Sequence, residues 1–127
     1  MIFGIGTDIV RVARMRRSLE RFGDRFAEHI LTESEMVDYK KVRDKARFLS
    51  KRFAAKEAAV KAFGTGFSQG IHLHEINVGH NERGKPLLQF SGRALEFVQE
   101  HHIVLSNISI SDEAEYAVAF VTLETTT

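Results

Sequence analysis

The stretch from Ala46 to Phe63 is built mostly of Ala, Leu, Lys, Arg and Glu, and Gly64 follows it. Those residues lose little on entering a helix, and a glycine just beyond is a C-terminal stop. The spacing predicts a helix with Phe48, Leu49, Phe53, Val60 and Phe63 on its buried side. A helix this long must lay its apolar side against another layer, so the remaining segments are read as what covers it.

Ile2 to Ile9 mixes β-branched residues with Gly4 and Gly6, which suits a strand closely approached by another element, because glycine has no Cβ. Met15, Leu19, Phe22 and Phe26 share one face of a helix over Val12 to Ala27, weakened near its end by Gly23. Thr32 followed by Glu35 matches a capping box and opens a short polar helix that ends before Ala46. Beyond the Gly64-Thr65-Gly66 loop, Leu73 to Val78 alternates as a strand, Asn81 to Pro86 turns, and Leu87 to Phe90 closes a hairpin. Ser91 to His101 reads as another helix, and Ser106 to Ser111 pairs with Tyr116 to Leu123 in a second hairpin. The fold class is α+β, an antiparallel sheet of hairpins packed with several helices, in a single domain over 1–127.

Charge is distributed unevenly. Residues 11–61 carry 15 Lys/Arg against 8 Asp/Glu, and residues 62–127 carry 3 against 8, although the net charge of the whole is only +1. Either the halves complement each other internally, or one electropositive region steers an anionic partner. Cysteine is absent, which removes disulfides, Cys-ligated zinc and a thiolate nucleophile. Met1 to Ile5 lacks the flank and length of a signal segment, and no apolar run is long enough to span a bilayer. A cytoplasmic protein without membrane attachment is expected.

Two groups of residues could carry chemistry. Asp8 ends an apolar strand and needs a partner: an Arg such as Arg11, the start of the next helix, or a hard metal ion. Arg52 and Lys56, and Glu57 and Lys61, are each spaced by four on the long helix, which runs into Gly64-Thr65-Gly66. Glu57 with Lys61 is an ordinary helix-stabilising pair on its own. Combined, the group offers an acid for a metal, amines for phosphate oxygens, and glycine amides that an anion can approach. It is not a Walker loop, since the lysine precedes the glycines. His72 and His74 lack the further ligands a zinc site needs. Arg14, Arg17, Arg21 and Arg25 form a basic stripe, either a solvated face or a dock for an acidic helix; with so small a net charge and no recognised motif, nucleic acid is the poorer partner.

Together these motifs resemble the holo-acyl-carrier-protein synthases, small bacterial phosphopantetheinyl transferases. The similarity is carried in order by Gly4 to Val10, by Leu31-Thr32 with Glu35, by Arg47-Phe48-Leu49 and Lys51 to Ala58, by Lys61 to Gly66, by Gly84-Lys85-Pro86, and by Ser109 to Val118. The resemblance implies transfer of 4′-phosphopantetheine from coenzyme A to a serine of apo-acyl carrier protein, releasing adenosine 3′,5′-bisphosphate, in support of fatty acid biosynthesis. It implies Mg²⁺ held by Asp8 and Glu57, and catalysis by Glu57 and Lys61, with the serine proton leaving to a metal-bound water or to Glu57. It places coenzyme A on Arg52, Lys56, Lys61, Gly64, Thr65, Gly66 and Pro86, and carrier protein on Arg14, Arg21 and Arg25. It further implies a homotrimer with active sites between subunits. Arg11 stands where many relatives carry Glu, and Asn107 where they often carry His. The competing reading is a non-catalytic module that binds an acidic protein or coenzyme A through its basic helix.

Overall fold

Glycine at positions 4 and 6 decides how the chain is layered. In the computed structural model, which describes residues 1–126, strand β1 (Ile2–Arg11) lies directly on helix α4 (Lys45–Phe63). A Cβ on Gly4 would collide with the carbonyl oxygen of Ala62, and one on Gly6 with that of Ala58. The close approach expected from the sequence is therefore between this strand and the long helix, whose facing residues Ala58 and Ala62 are themselves small.

Helix α4 starts where the Asp44 side chain accepts the N–H of Arg47 at 3.1 Å, and ends at Gly64, whose φ of 85° only glycine adopts without strain. Its alanines are buried almost all round. The covering layer is a three-stranded antiparallel sheet in the order β1-β5-β4, in which β4 (Ile103–Asp112) and β5 (Tyr116–Thr125) form the expected second hairpin. Ala119, Val121 and Leu123 of β5 are fully buried under it with Leu49 and Val60 of α4. Each of the larger side chains contributes roughly 1.5–3 kcal/mol by leaving water. Strands β2 (Ile76–His80) and β3 (Pro86–Phe90) make the other hairpin, and α5 (Gly92–Glu100) follows. One hydrophobic cluster runs through both sheets and the helices. The architecture is α+β, as expected; Thr127 of the expected domain 1–127 lies outside the described residues.

Three expectations change. The helix foreseen from Val12 to Ala27 is two: α1 (Val12–Phe22) and α2 (Asp24–Ile30), parted at Gly23 with φ 66° and ψ −155°. Phe22 remains the last residue of α1 and is 56% exposed while Met15 is buried, and Phe26 passes to α2. The strand foreseen from Leu73 begins only at Ile76, because the Glu75 carboxylate accepts the N–H of His72 and closes a 3₁₀ turn over Leu73–Glu75. His72 and His74 are thereby off any common strand face. Strand β4 also starts earlier than expected, at Ile103. The capping box forms as read: Thr32 Oγ1 accepts the N–H of Glu35, and Glu35 accepts the N–H of Thr32, opening α3 (Glu33–Lys41).

Candidate active site

Alternation along β1 puts Gly4, Gly6 and Asp8 on the face toward α4 and leaves Ile5, Thr7 and Ile9 outward. The close contact made by the glycines thus delivers the next inward residue, Asp8, to the last turns of the helix. Lys61 Nζ donates to Asp8 Oδ1 at 2.9 Å and to the carbonyl of Thr7 at 3.0 Å. Asp8 is 15% exposed and Lys61 51%, so the pair opens on one side to solvent. Glu57, one turn before Lys61, is half-buried. Burial pushes its carboxyl above the usual range and the Asp8 charge pushes it further, while Lys61 and Arg14 pull it back. Asp8, Glu57, Lys61 and Arg14 therefore share one electrostatic site, built from β1, α4 and α1. The formal charges of the two carboxylates and the two cations cancel, and Lys61 already pairs with Asp8, so the site is a network of opposite charges open to solvent on one side.

A family model described as the 4′-phosphopantetheinyl transferase superfamily matches residues 4–121. The chain belongs to that superfamily. Holo-[acyl-carrier-protein] synthase of Aliivibrio fischeri is 50% identical over 123 residues, covering 97% of this chain and 98% of the relative. Among solved structures, the synthase of Neisseria meningitidis superposes with a TM-score of 0.93 at 39% identity, covering 98% of this chain and all of that one. The Bacillus anthracis synthase in complex with CoA (3′,5′-ADP) superposes with a TM-score of 0.83 at 38% identity over 99% of both chains.

Within this transferase fold, the other residues singled out from the sequence fall into separate places. Lys56 is taken out of the coenzyme A group: it is wholly buried, and its Nζ donates to the carbonyls of Ile30 at 2.7 Å and Leu73 at 3.2 Å and to Glu35 Oε1 at 2.7 Å. All three of its protons are engaged, and a phosphate has no route to them. Burial lowers its pKa and the Glu35 charge raises it again. Arg52 is 5% exposed, with its guanidinium 4.3 Å from the centre of the Phe48 ring; its Nε is the one buried side-chain polar atom without a partner among the described residues. Burial lowers the Arg52 pKa while the charges of Glu35 and Asp38 raise it, and burial and the Arg52 charge both lower the imidazole pKa of His80.

The glycine loop works differently from the expected amide cradle. The N–H of Gly64 points back to Val60 O at 3.2 Å and Lys61 O at 3.0 Å, and the N–H of Gly66 to Val60 O at 3.2 Å. Those amides close the end of α4 and are not aimed at an anion. Gly64 and Gly66 are demanded by φ values of 85° and 60°, with open space where a Cβ would go. Thr65 is half-buried in this loop, its hydroxyl donating to Gly66 O, and Pro86 opens β3 opposite His80. Arg14 and Arg21 stand exposed on α1, but Arg25 lies past the Gly23 break on α2, so the basic stripe is carried by two helices. Arg21 stacks 5.1 Å from the ring of exposed Phe22. Asn107 donates to Thr122 Oγ1 and to Glu124 Oε2 on β5.

Sequence reasoning missed the depth of Glu35, which is 1% exposed. Besides capping α3, it accepts from Lys56 and, through Oε2, from the N–H of Val78 on β2. The signal for Lys56 was present in the four alanines that flank it and Glu57, Ala54, Ala55, Ala58 and Ala59, which mark a helix buried on most sides.

Proposed function

We propose that this chain transfers 4′-phosphopantetheine from coenzyme A to a serine of apo-acyl carrier protein, giving the holo form and adenosine 3′,5′-bisphosphate, as a cytoplasmic step supporting fatty acid biosynthesis. The observation that carries the reading is the meeting of Asp8, Glu57 and Lys61 at the β1–α4 contact, in a chain half identical to a holo-[acyl-carrier-protein] synthase over nearly its whole length.

The carboxylates fit Mg²⁺. Among the described residues no third His, Cys, Asp or Glu joins them, which suits an ion usually held by one or two carboxylates together with water and substrate phosphates. Bound by Asp8 and Glu57, the ion would neutralise charge on the pyrophosphate. The chain's own groups do the rest. The serine hydroxyl of the carrier protein attacks the phosphorus that bears pantetheine, and the bond from that phosphorus to the bridging oxygen of the bisphosphate breaks. The hydroxyl proton leaves to Glu57 or to a water beside it. Lys61 presents a charged amine from an exposed side chain, able to leave Asp8 for the departing phosphate. Arg52 and the edge near Pro86 bind the remaining coenzyme A, the glycine loop contributing close approach through Gly64, Thr65 and Gly66 rather than its capped amides. Arg14 and Arg21, with Arg25 on the next helix, receive the acidic carrier protein.

The whole of 1–127 acts as one domain, and we place it in a homotrimer with active sites between subunits. Ile5 and Ile9 are 60% and 63% exposed, and Phe120 beside them on β5 is 46% exposed. That apolar outer sheet face suits a second copy. No helix among the described residues is long and apolar enough to cross a membrane.

Intact-mass spectrometry of apo-acyl carrier protein incubated with this protein and coenzyme A tests the function. A phosphopantetheine-sized gain that requires Mg²⁺ is expected. Binding of the carrier with no covalent product would replace the reading by the non-catalytic module.

A further inference from the structure

The buried pair Lys56–Glu35 lies next in sequence to Glu57 yet faces away from the site. Lys56 Nζ gathers three acceptors from three segments: Ile30 O at the end of α2, Glu35 Oε1 in α3, and Leu73 O in the 3₁₀ turn. Glu35 extends the contact to β2 through the Val78 N–H, and Thr32 Oγ1 reaches Asn77 on the same strand. On the opposite side of α4, Gly4 and Gly6 fit against the carbonyls of Ala62 and Ala58. The glycines seat two successive turns of the helix on β1, and Lys61 bonds to Thr7 and Asp8 from that side, so the rotation of α4 about its own axis is held from both sides. The polar bonds of Lys56 are directional and supply the hold on the side away from β1.

We infer that Lys56 and Glu35 are positioning residues for the transfer reaction, locking the rotation of α4 so that Glu57, one residue on, faces Asp8. This rests on the role proposed for Glu57 above. Adjacent helical residues are about 100° apart, and side chains end about 5–6 Å from the axis, so a rotation of about 10° moves the Glu57 carboxylate by about 1 Å. Displacements of that size at a reacting centre cost about 10²-fold in rate. Stability need not follow, since replacing both members of a buried ion pair by neutral groups of similar volume is often close to neutral.

The test is the double variant Glu35→Gln/Lys56→Met, which removes both charges and keeps the volume and a carbonyl acceptor. The expected result is a folded protein whose kcat falls at least about tenfold while KM for carrier protein is unchanged, with amide resonances displaced at Asp8, Glu57 and Lys61 as well as at Ile30 and Val78. A folded double variant with wild-type kcat, or with displaced resonances confined to the neighbours of residues 35 and 56, overturns the inference. If the double variant does not fold, Glu35→Gln alone decides by the same two readouts, since it keeps the side chain's shape. Glu57→Gln run beside them separates the two claims: normal turnover there refutes the role of Glu57, whereas the resonances of the 35/56 variants still report whether the pair sets the rotation of α4.

Discussion

Gly6→Ala probes the contact on which the site depends. An added Cβ would stand 2.7 Å from Ala62 N and 2.9 Å from Lys61 Cβ, and closer still to Ala58 O. Ordinary contact begins near 3.4 Å, so β1 and α4 must part by about 1 Å, and neither is a flexible side-chain tip that can yield cheaply. Overpacking of this kind costs about 1–3 kcal/mol. For a domain of this size each kcal/mol lowers Tm by about 3–5 °C, so a fall of about 3–15 °C is expected. Because the same strand holds Asp8, activity should suffer more than stability, by about 10²-fold at a temperature where the variant is fully folded. Circular-dichroism melts and initial rates of carrier-protein modification measure the two effects. A melt and a rate both equal to wild type would refute the reasoning that the glycines set the distance between Asp8 and the helix.

Asp8→Ala is expected to abolish transfer while leaving the protein folded, checked by intact mass and circular dichroism. Glu57→Gln should raise Tm at neutral pH. Its carboxyl sits above the usual range in the folded state, so the native protein binds the proton more tightly than the unfolded chain, and stability falls as pH rises from the ordinary carboxylate value through the raised one. The gain from Gln should therefore be complete above that window and vanish below it, which melts across pH will display. Arg21→Glu should raise KM for carrier protein and weaken its salt dependence, with coenzyme A affinity measured calorimetrically left nearly unchanged; equal losses in both would refute a division between docking and chemistry.

Much of the architecture was legible because local chemistry and tertiary structure agree. Gly4 and Gly6 announced a close approach, Thr32 with Glu35 a helix start, Gly64 a helix end, and the two hairpins followed from alternation around turn residues. What escaped is what depends on who the neighbour is. Lys56 reads as a surface amine, because the sequence does not reveal that Ile30, Glu35 and Leu73 converge to accept its protons. The amides of Gly64 and Gly66 read as anion donors, because the competing claim of the Val60 carbonyl appears only once the helix end is drawn. Phe22 and Phe26 fit the apolar face of one long helix, but Gly23 puts them on different helices and Phe22 is left exposed at the end of α1. Asp8 and the Glu57–Lys61 pair read from their own segments as two separate groups, and only the family resemblance joined them; the fold brings Asp8 to Lys61 and into the field of Glu57 across some fifty residues of chain.

The pairing of β1 with β5 joins Asp8 to the level of Ala119, more than a hundred residues away along the chain. During synthesis the first strand must therefore wait, its hydrogen-bonding edge unsatisfied, until the fifth has been made. Helix α4 can form early from local contacts, but the sheet that holds Asp8 against it is a late, long-range closure, and such closures slow folding. A nascent chain ending before Tyr116 would carry every residue of the site and no site. Synthesis of the fifth strand is itself the event that brings the carboxylate pair together.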